Sequence, residues 1–313
     1  MEVNHCSKMN QLHDNLTIYT PINSNYENLD IIYGSLINQT NQKFIWYILD
    51  YNESDLAFNY VYKFKSESKI QIEYVHKHFK GRYLATKYAF ENIYTNYIIG
   101  LDGAYFIVKD CVEVILNHWH EIEKEKNHFI AEIRGLANNK SKELVGKSQY
   151  HYKKEYVDMR WHEMVLKNGN YYEMLASWDR LKFLECVNWG GYDLFSEQID
   201  ELSTTLFWSS LGRKYQTRYL NKILKCKIDS VSLDKKSSND YNTFVSGYYF
   251  LVENIDFFFY SPKYYTGVIL SFISASTKLN LSLNYLLTLS QNMKYKLVLI
   301  SYYYPAKVLL KSK

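Results

Sequence analysis

LTIYTPINSNYENLDIIYGSLINQTNQKFIWYILDYNESD, residues 16–55, holds one strand, one helix and a second strand, and it decides how the rest of the chain is read. LTIYTP (16–21) is a short, largely apolar run that reads as a buried strand. NYENLDIIYGSLINQT follows, with Leu29, Ile32 and Leu36 at helical spacing, and KFIWYILD (43–50) is a second apolar strand ending in a carboxylate, Asp50. Working outward, ESDLAFNYVYKFKSE reads as a helix that Ser54 or Asp55 can cap. IQIEYV (70–75) is a third strand, and GRYLATKYAFENIY places Leu84, Ala85, Tyr88 and Ala89 on one helical face. TNYIIGLD (95–102), the helix KDCVEVILNHWHEIEKEK and the strand HFIAEIRG (128–135) continue the alternation. Strands alternating with helices of this length predict an α/β fold: a Rossmann-type, mostly parallel sheet with helices on both faces. Ligands of such sheets sit beyond the carboxyl ends of the strands, where TPIN, Asp50 and Asp102 are expected to converge.

Composition narrows the class. The 313 residues are 47% hydrophobic and 22% charged, with 12 Gly and 3 Pro, which excludes a largely disordered chain. The 32 tyrosines are read first as a bias of base composition toward Tyr, Asn, Lys and Ile. A net charge of +4 is too mild for a nucleic-acid binder and suits anionic small molecules or an anionic membrane surface. Cys6, Cys111, Cys186 and Cys226 lie far apart and form no C-x-x-C pair, the usage of a reducing compartment. The opening MEVNHCSKMNQLHDN has no apolar core of a signal peptide, so a cytoplasmic protein is expected, and no run reaches the length of a membrane span.

Residues 16–55 also resemble the opening of a family 2 glycosyltransferase, a nucleotide-sugar enzyme of GT-A fold. Thr20, Pro21 and Asn23 match its T-P-x-Y-N-like turn; Ser35, Leu36, Gln39 and Thr40 match its S-L-x-x-Q-T helix end; Asp50, Ser54 and Asp55 match its D-D-G-S-x-D strand end. The likeness is good over residues 16–135 and weaker through GRKYQTRYLNKIL, near residue 228. There are departures. Tyr51 and Asn52 replace the second Asp and the Gly; Phe79 to Lys87 keep Gly81 and Ala85 of an N-x-G-x-x-x-A-x-N loop but lose both Asn; and Asp102-Gly103-Ala104-Tyr105 stands where the family has D-x-D-D.

The resemblance implies an inverting transfer of a hexose-type sugar from a nucleotide-sugar donor to a hydroxyl of a saccharide or lipid-linked acceptor, in polysaccharide biosynthesis for the cell envelope. It implies a nucleotide site from Thr20, Pro21, Asn23, Asp50 and Asp102, in which Asp50 accepts a hydrogen bond from the base. A divalent cation, Mg²⁺ or Mn²⁺, would neutralise the leaving diphosphate from Asp102. With Ala104 in place of the second ligand, the cation is expected to be weakly held or absent, and Lys80 and Arg82 are the candidate cationic substitutes, against the plainer reading of a solvated loop. Glu197, Asp200 and Glu201 in FSEQIDEL are candidates for the base that takes the acceptor's proton; a negatively charged first helical turn explains them equally well. His162 and Glu163 begin but do not complete an H-E-x-x-H zinc motif, and TPINSN lacks the glycines of a dinucleotide-binding turn.

The expected organisation is a tail over 1–15, a GT-A-like domain over 16–230 with a nucleotide-sugar half to 135 and an acceptor half after it, and a helical, aromatic-rich region over 231–313. Aromatics such as Phe257, Phe258, Phe259 and Tyr260, with lysines at 278, 294, 296, 307, 311 and 313, either pack as ordinary core or lie peripherally on the inner face of the cell membrane. The competing function is a catalytically impaired nucleotide-sugar-binding or scaffold protein of the same pathway, motivated by Tyr51, Phe79, Lys87 and Ala104.

Overall fold

The computed structural model describes residues 16–24, 26–148, 153–187, 202–228 and 239–311. The alternation comes out as β1 (Leu16–Ile22), α1 (Leu29–Ile37), β2 (Phe44–Asp50), α2 (Phe58–Glu67), β3 (Gln71–His76), α3 (Arg82–Asn92), β4 (Tyr97–Gly100), β5 (Tyr105–Ile107), α4 (Cys111–Lys124) and β6 (Ile130–Asn138). Neither Ser54 nor Asp55 caps α2, which starts at Phe58, after a turn in which the Asp55 carbonyl accepts from the Phe58 N–H. After β6 come β7 (Gly146–Ser148), β8 (Tyr156–Met159), β9 (Asn170–Tyr172), β10 (Met174–Asp179), α5 (Arg180–Cys186), α6 (Thr205–Lys214) and β11 (Gln216–Lys227).

Nine of these strands form one sheet in the order β3-β2-β1-β4-β10-β6-β11-β5, with β8 also on β11; β7 and β9 pair separately. Six of the nine (β1 to β4, β6 and β11) run in one direction, and β5, β8 and β10 run against them. Every residue of β1 and β2 is buried, because helices cover both faces. Alternate side chains divide between two cores. Ile18, Trp46, Ile48 and Ile99 join Leu29, Ile32, Val61, Phe64 and Trp119 under α1, α2 and α4. Tyr19, Tyr47, Leu49 and Ile98 join Phe90, Phe183 and Phe207 under α3, α5 and α6.

The second core continues into the carboxyl-terminal helices α7 (Asp240–Asn254), α8 (Pro262–Lys278), α9 (Leu283–Thr288) and α10 (Met293–Lys311). Phe244 stacks on Phe272, and Tyr295 meets both Tyr248 and Phe272 edge-on. Many aromatics of this region thus fill a core shared with the sheet, while others, Phe259 and Tyr304 among them, stay exposed. No described helix is long and apolar enough to cross a membrane.

Strand order sets the place for a ligand. From β1 the chain pairs outward through β2 to β3 on one side and to β4 on the other, so the order reverses between β1 and β4. Pairing of β1 with β4 stops at Tyr19 opposite Gly100, and Pro21, which has no N–H to give, lies just past that point. The two strand ends part there.

Candidate active site

A cleft of about 2160 Å³ opens at these strand ends. Its wall on the sheet side is built by Asn23, Tyr51, Asn52, Glu53 and the 78–82 segment, including Lys80 and Arg82. The opposite wall comes from α7 and α8, through Asn242, Ser246, Lys263 and Tyr264 among others.

At the β2 end, Asp50 is fully buried, beneath the turn formed by Tyr51, Asn52 and Glu53. Its carboxylate accepts from the Tyr74 hydroxyl at 3.2 Å and the Asn52 N–H at 3.3 Å. Burial raises its pKa, only partly offset by these donors. The Asn52 side chain donates to the Tyr26 hydroxyl at 2.8 Å and to the Asn23 carbonyl at 3.2 Å, tying the β2 turn to the β1 turn. Thr20, by contrast, is turned away from the cleft: its hydroxyl accepts from the Trp46 indole at 3.0 Å in the first core. Pro21 is buried in the strand, and Asn23 reaches the cleft.

At the β4 end the sequence turns back at once into β5. The Tyr105 N–H bonds the Asp102 carbonyl, and the Gly103 carbonyl accepts from the Asn28 side chain at 2.8 Å. The Asp102 carboxylate is ion-paired with Nη2 of Arg82, the first residue of α3. Both groups are about a third exposed, and the pair faces the cleft through Arg82. Gly81 precedes α3 in an extended conformation with no side-chain cap, and with Lys80 and Arg82 it lines the cleft, so the amino end of this helix lies at the cleft wall. Ala104 packs against the first core.

Among the described residues Asp102 meets no second carboxylate, and its own is engaged by the Arg82 guanidinium. No group of three His, Cys, Asp or Glu side chains able to hold a metal occurs among the described residues. The described donor set around Asp102, a single carboxylate held by a guanidinium, does not fit a resident divalent cation. His162 is buried in a ring stack with Phe257, 4.2 Å between centroids, and burial lowers its pKa; it is packing, not a zinc ligand. Glu197, Asp200 and Glu201 lie outside the described residues.

Several residues near the site escaped the sequence reading. Lys225 of β11 is almost wholly buried behind the Asp102 turn, donating to Glu173 at 2.7 Å and lying 4.0 Å from the centre of the Tyr105 ring. Burial lowers its pKa, and Arg82 and Arg134 add to the positive potential around it. A lysine inside the alternating strand YLNKILKCK was the available signal. The α7 wall had a signal too: Asn242 and Ser246, four apart, make a polar pair on one face of the helix, and Asn242 Oδ1 has no hydrogen-bond partner among the described residues.

A largely parallel sheet that reverses order between β1 and β4, with a wide cleft at those strand ends, has the glycosyltransferase fold of GT-A type. Among the solved structures it resembles are those of S. aureus TarS. TarS 1–349 in complex with UDP-GlcNAc superimposes with a TM-score of 0.56 at 11% identity, covering 93% of this chain and 81% of that one. The longer TarS structure gives 0.54 at 10% identity over 84% of this chain, which spans only 43% of that one. No protein-family model matches the chain, and no curated protein does.

Proposed function

We propose that the chain transfers a sugar from a nucleoside-diphosphate sugar to an acceptor hydroxyl, with inversion at the anomeric carbon. The observation that carries this reading is the meeting, at the β1/β4 switch point, of the Asp50 turn, the Arg82–Asp102 pair and the open amino end of α3 in one cleft. The base and ribose lie against the 51–53 turn that Asp50 and Asn52 fix from beneath. The diphosphate lies against Lys80, Arg82 and the first N–H groups of α3. A hexosyl donor and its acceptor fit together, because the cleft is more than twice the roughly 300–1,000 Å³ of an ordinary small-molecule site.

In the reaction the acceptor oxygen attacks the anomeric carbon while the bond to the diphosphate oxygen breaks, and the diphosphate leaves with the electron pair. The acceptor's proton passes to a carboxylate, for which Glu197, Asp200 and Glu201 are the candidates. Negative charge growing on the leaving group is met by Arg82 and Lys80 rather than by a metal on Asp102; Asp102 then acts as a positioning residue that aims the guanidinium. On the acceptor side, Asn242, Ser246 and Tyr264 offer the hydroxyls, amide and ring face that a saccharide uses. The acceptor is a cell-envelope polysaccharide precursor or glycolipid.

The unusual acidic motif also supports a second reading, a non-catalytic nucleotide-sugar-binding protein. Incubation with a panel of nucleotide sugars and a lipid-linked saccharide, followed by assay of released nucleoside diphosphate, separates the two. Release that Arg82→Ala reduces at least about tenfold supports the transferase; binding without release across the panel supports the second reading.

A further inference from the structure

The last helix carries an apolar face that no described residue covers. Tyr295, Leu299, Tyr303 and Ala306 of α10 are buried against the other helices. On the opposite side Met293, Leu297, Ile300, Tyr304 and Val308 recur at steps of four, three, four and four, and are between 49% and 69% exposed. Phe259, 87% exposed, lies on the turn that packs against α10; Ile255 of that turn adjoins Tyr295 and Leu299 on the buried side of the helix.

At 100° per residue, Lys296 and Lys307 border the stripe along one edge and Lys294 along the other; Lys307 extends over the Tyr303 ring at 4.9 Å. The helix has no acidic residue at all. An apolar centre, lysine edges and a tyrosine make a face matched to the headgroup region of a bilayer, where aromatic rings and snorkelling lysines both find partners.

We propose that this face docks on an anionic phospholipid surface, with α10 in the plane of the headgroups and Phe259 inserted beside it. A second copy of the chain fits it less well. Two-fold pairing brings the same lysine edges together, and α10 supplies no carboxylate to meet them. The turn that bears Phe259 continues into Tyr260, Ser261 and Pro262, which line the cleft, so docking holds the cleft mouth at the membrane, where a lipid-linked acceptor emerges. That last consequence rests on the transferase reading; the docking face does not.

The test uses the full chain, without donor, sedimented with vesicles of phosphatidylcholine alone or mixed with phosphatidylglycerol. The expected result is binding to the mixed vesicles at low salt, weakened by added salt and reduced at least about tenfold both in Leu297→Ser/Ile300→Ser/Tyr304→Ser and in Lys294→Glu/Lys296→Glu. Exposed positions are chosen so that melting temperatures stay near that of the wild type, which is measured alongside. The proposal is overturned if the wild type stays in the supernatant with anionic vesicles at low salt, or if both variants sediment as it does. It is equally overturned if light scattering without lipid finds a dimer that the triple substitution dissociates, which assigns the face to a second copy.

Discussion

Asp50, fully buried at the end of β2, carries a cost in stability that the proposed site would explain. Because its pKa is raised in the folded protein, the folded state holds the proton at a pH where the unfolded chain has lost it; ionising it therefore costs stability as pH rises above the ordinary carboxylate range. Asp50→Asn removes that cost while leaving the Tyr74 hydroxyl an acceptor. The variant is expected to keep or raise the melting temperature at pH 7 and to bind nucleoside diphosphate more weakly. A second expectation follows from the same sign. Wild-type nucleotide affinity falls on acidification from a higher pH than an ordinary carboxylate predicts, and the Asn variant is flat over that range in calorimetric titrations. A pH-independent wild type removes the carboxylate from the account. Asp50 and Asp102 were both legible as strand-end carboxylates, but what each touches was not: Arg82 pairs with Asp102 from 20 residues away, and Tyr74 reaches Asp50 from the neighbouring strand.

Among elements, β8 and β11 explain why the second half of the chain resisted reading. Arg218, almost fully buried on β11, makes a two-pronged pair with Asp158 of β8, Nε to Oδ1 at 2.9 Å and Nη2 to Oδ2 at 3.0 Å, and lies 4.1 Å from the centre of the Tyr156 ring. Glu132 and Arg134, two apart on β6, are a second buried ion pair, through a single contact of 2.9 Å. Charges that pair across strands break the alternation of apolar and polar residues by which a strand is recognised, so YHYKKEYVDMRWHEM shows no clear strand pattern although it holds β8. β1 and β2 contain no such pairs and were read to within a residue of their bounds. Asp158→Ala leaves the arginine buried with only the more distant, half-exposed Glu121 and Glu125 opposite, and is expected to cost about 3–5 kcal/mol of stability. Urea unfolding checks it; a loss below about 1 kcal/mol, the level of a surface pair, contradicts the role given to Arg218.

At the scale of the whole molecule, the carboxyl-terminal helices are both part of the core and one wall of the cleft. Phe272, fully buried between Phe244 and Tyr295, also lines the cleft. Phe272→Ala is expected to lower stability by about 3–5 kcal/mol and to weaken acceptor use more than nucleotide binding. Calorimetry and an acceptor titration separate these effects; loss of nucleotide affinity alone contradicts the placing of the acceptor. The region's helices and aromatic content were legible from the sequence, its docking onto the sheet was not, since apolar stripes do not name the surface they cover. The measurement that bears most directly on the central claim is titration of UDP, GDP and their sugar conjugates into the full chain, in EDTA and in Mn²⁺, for wild type and Arg82→Ala. The account predicts that one nucleoside diphosphate binds the wild type about equally in EDTA and in Mn²⁺, and that Arg82→Ala loses about tenfold in affinity, near 1.4 kcal/mol. No binding of any nucleotide under either condition, or binding that needs Mn²⁺ and ignores Arg82, would contradict it.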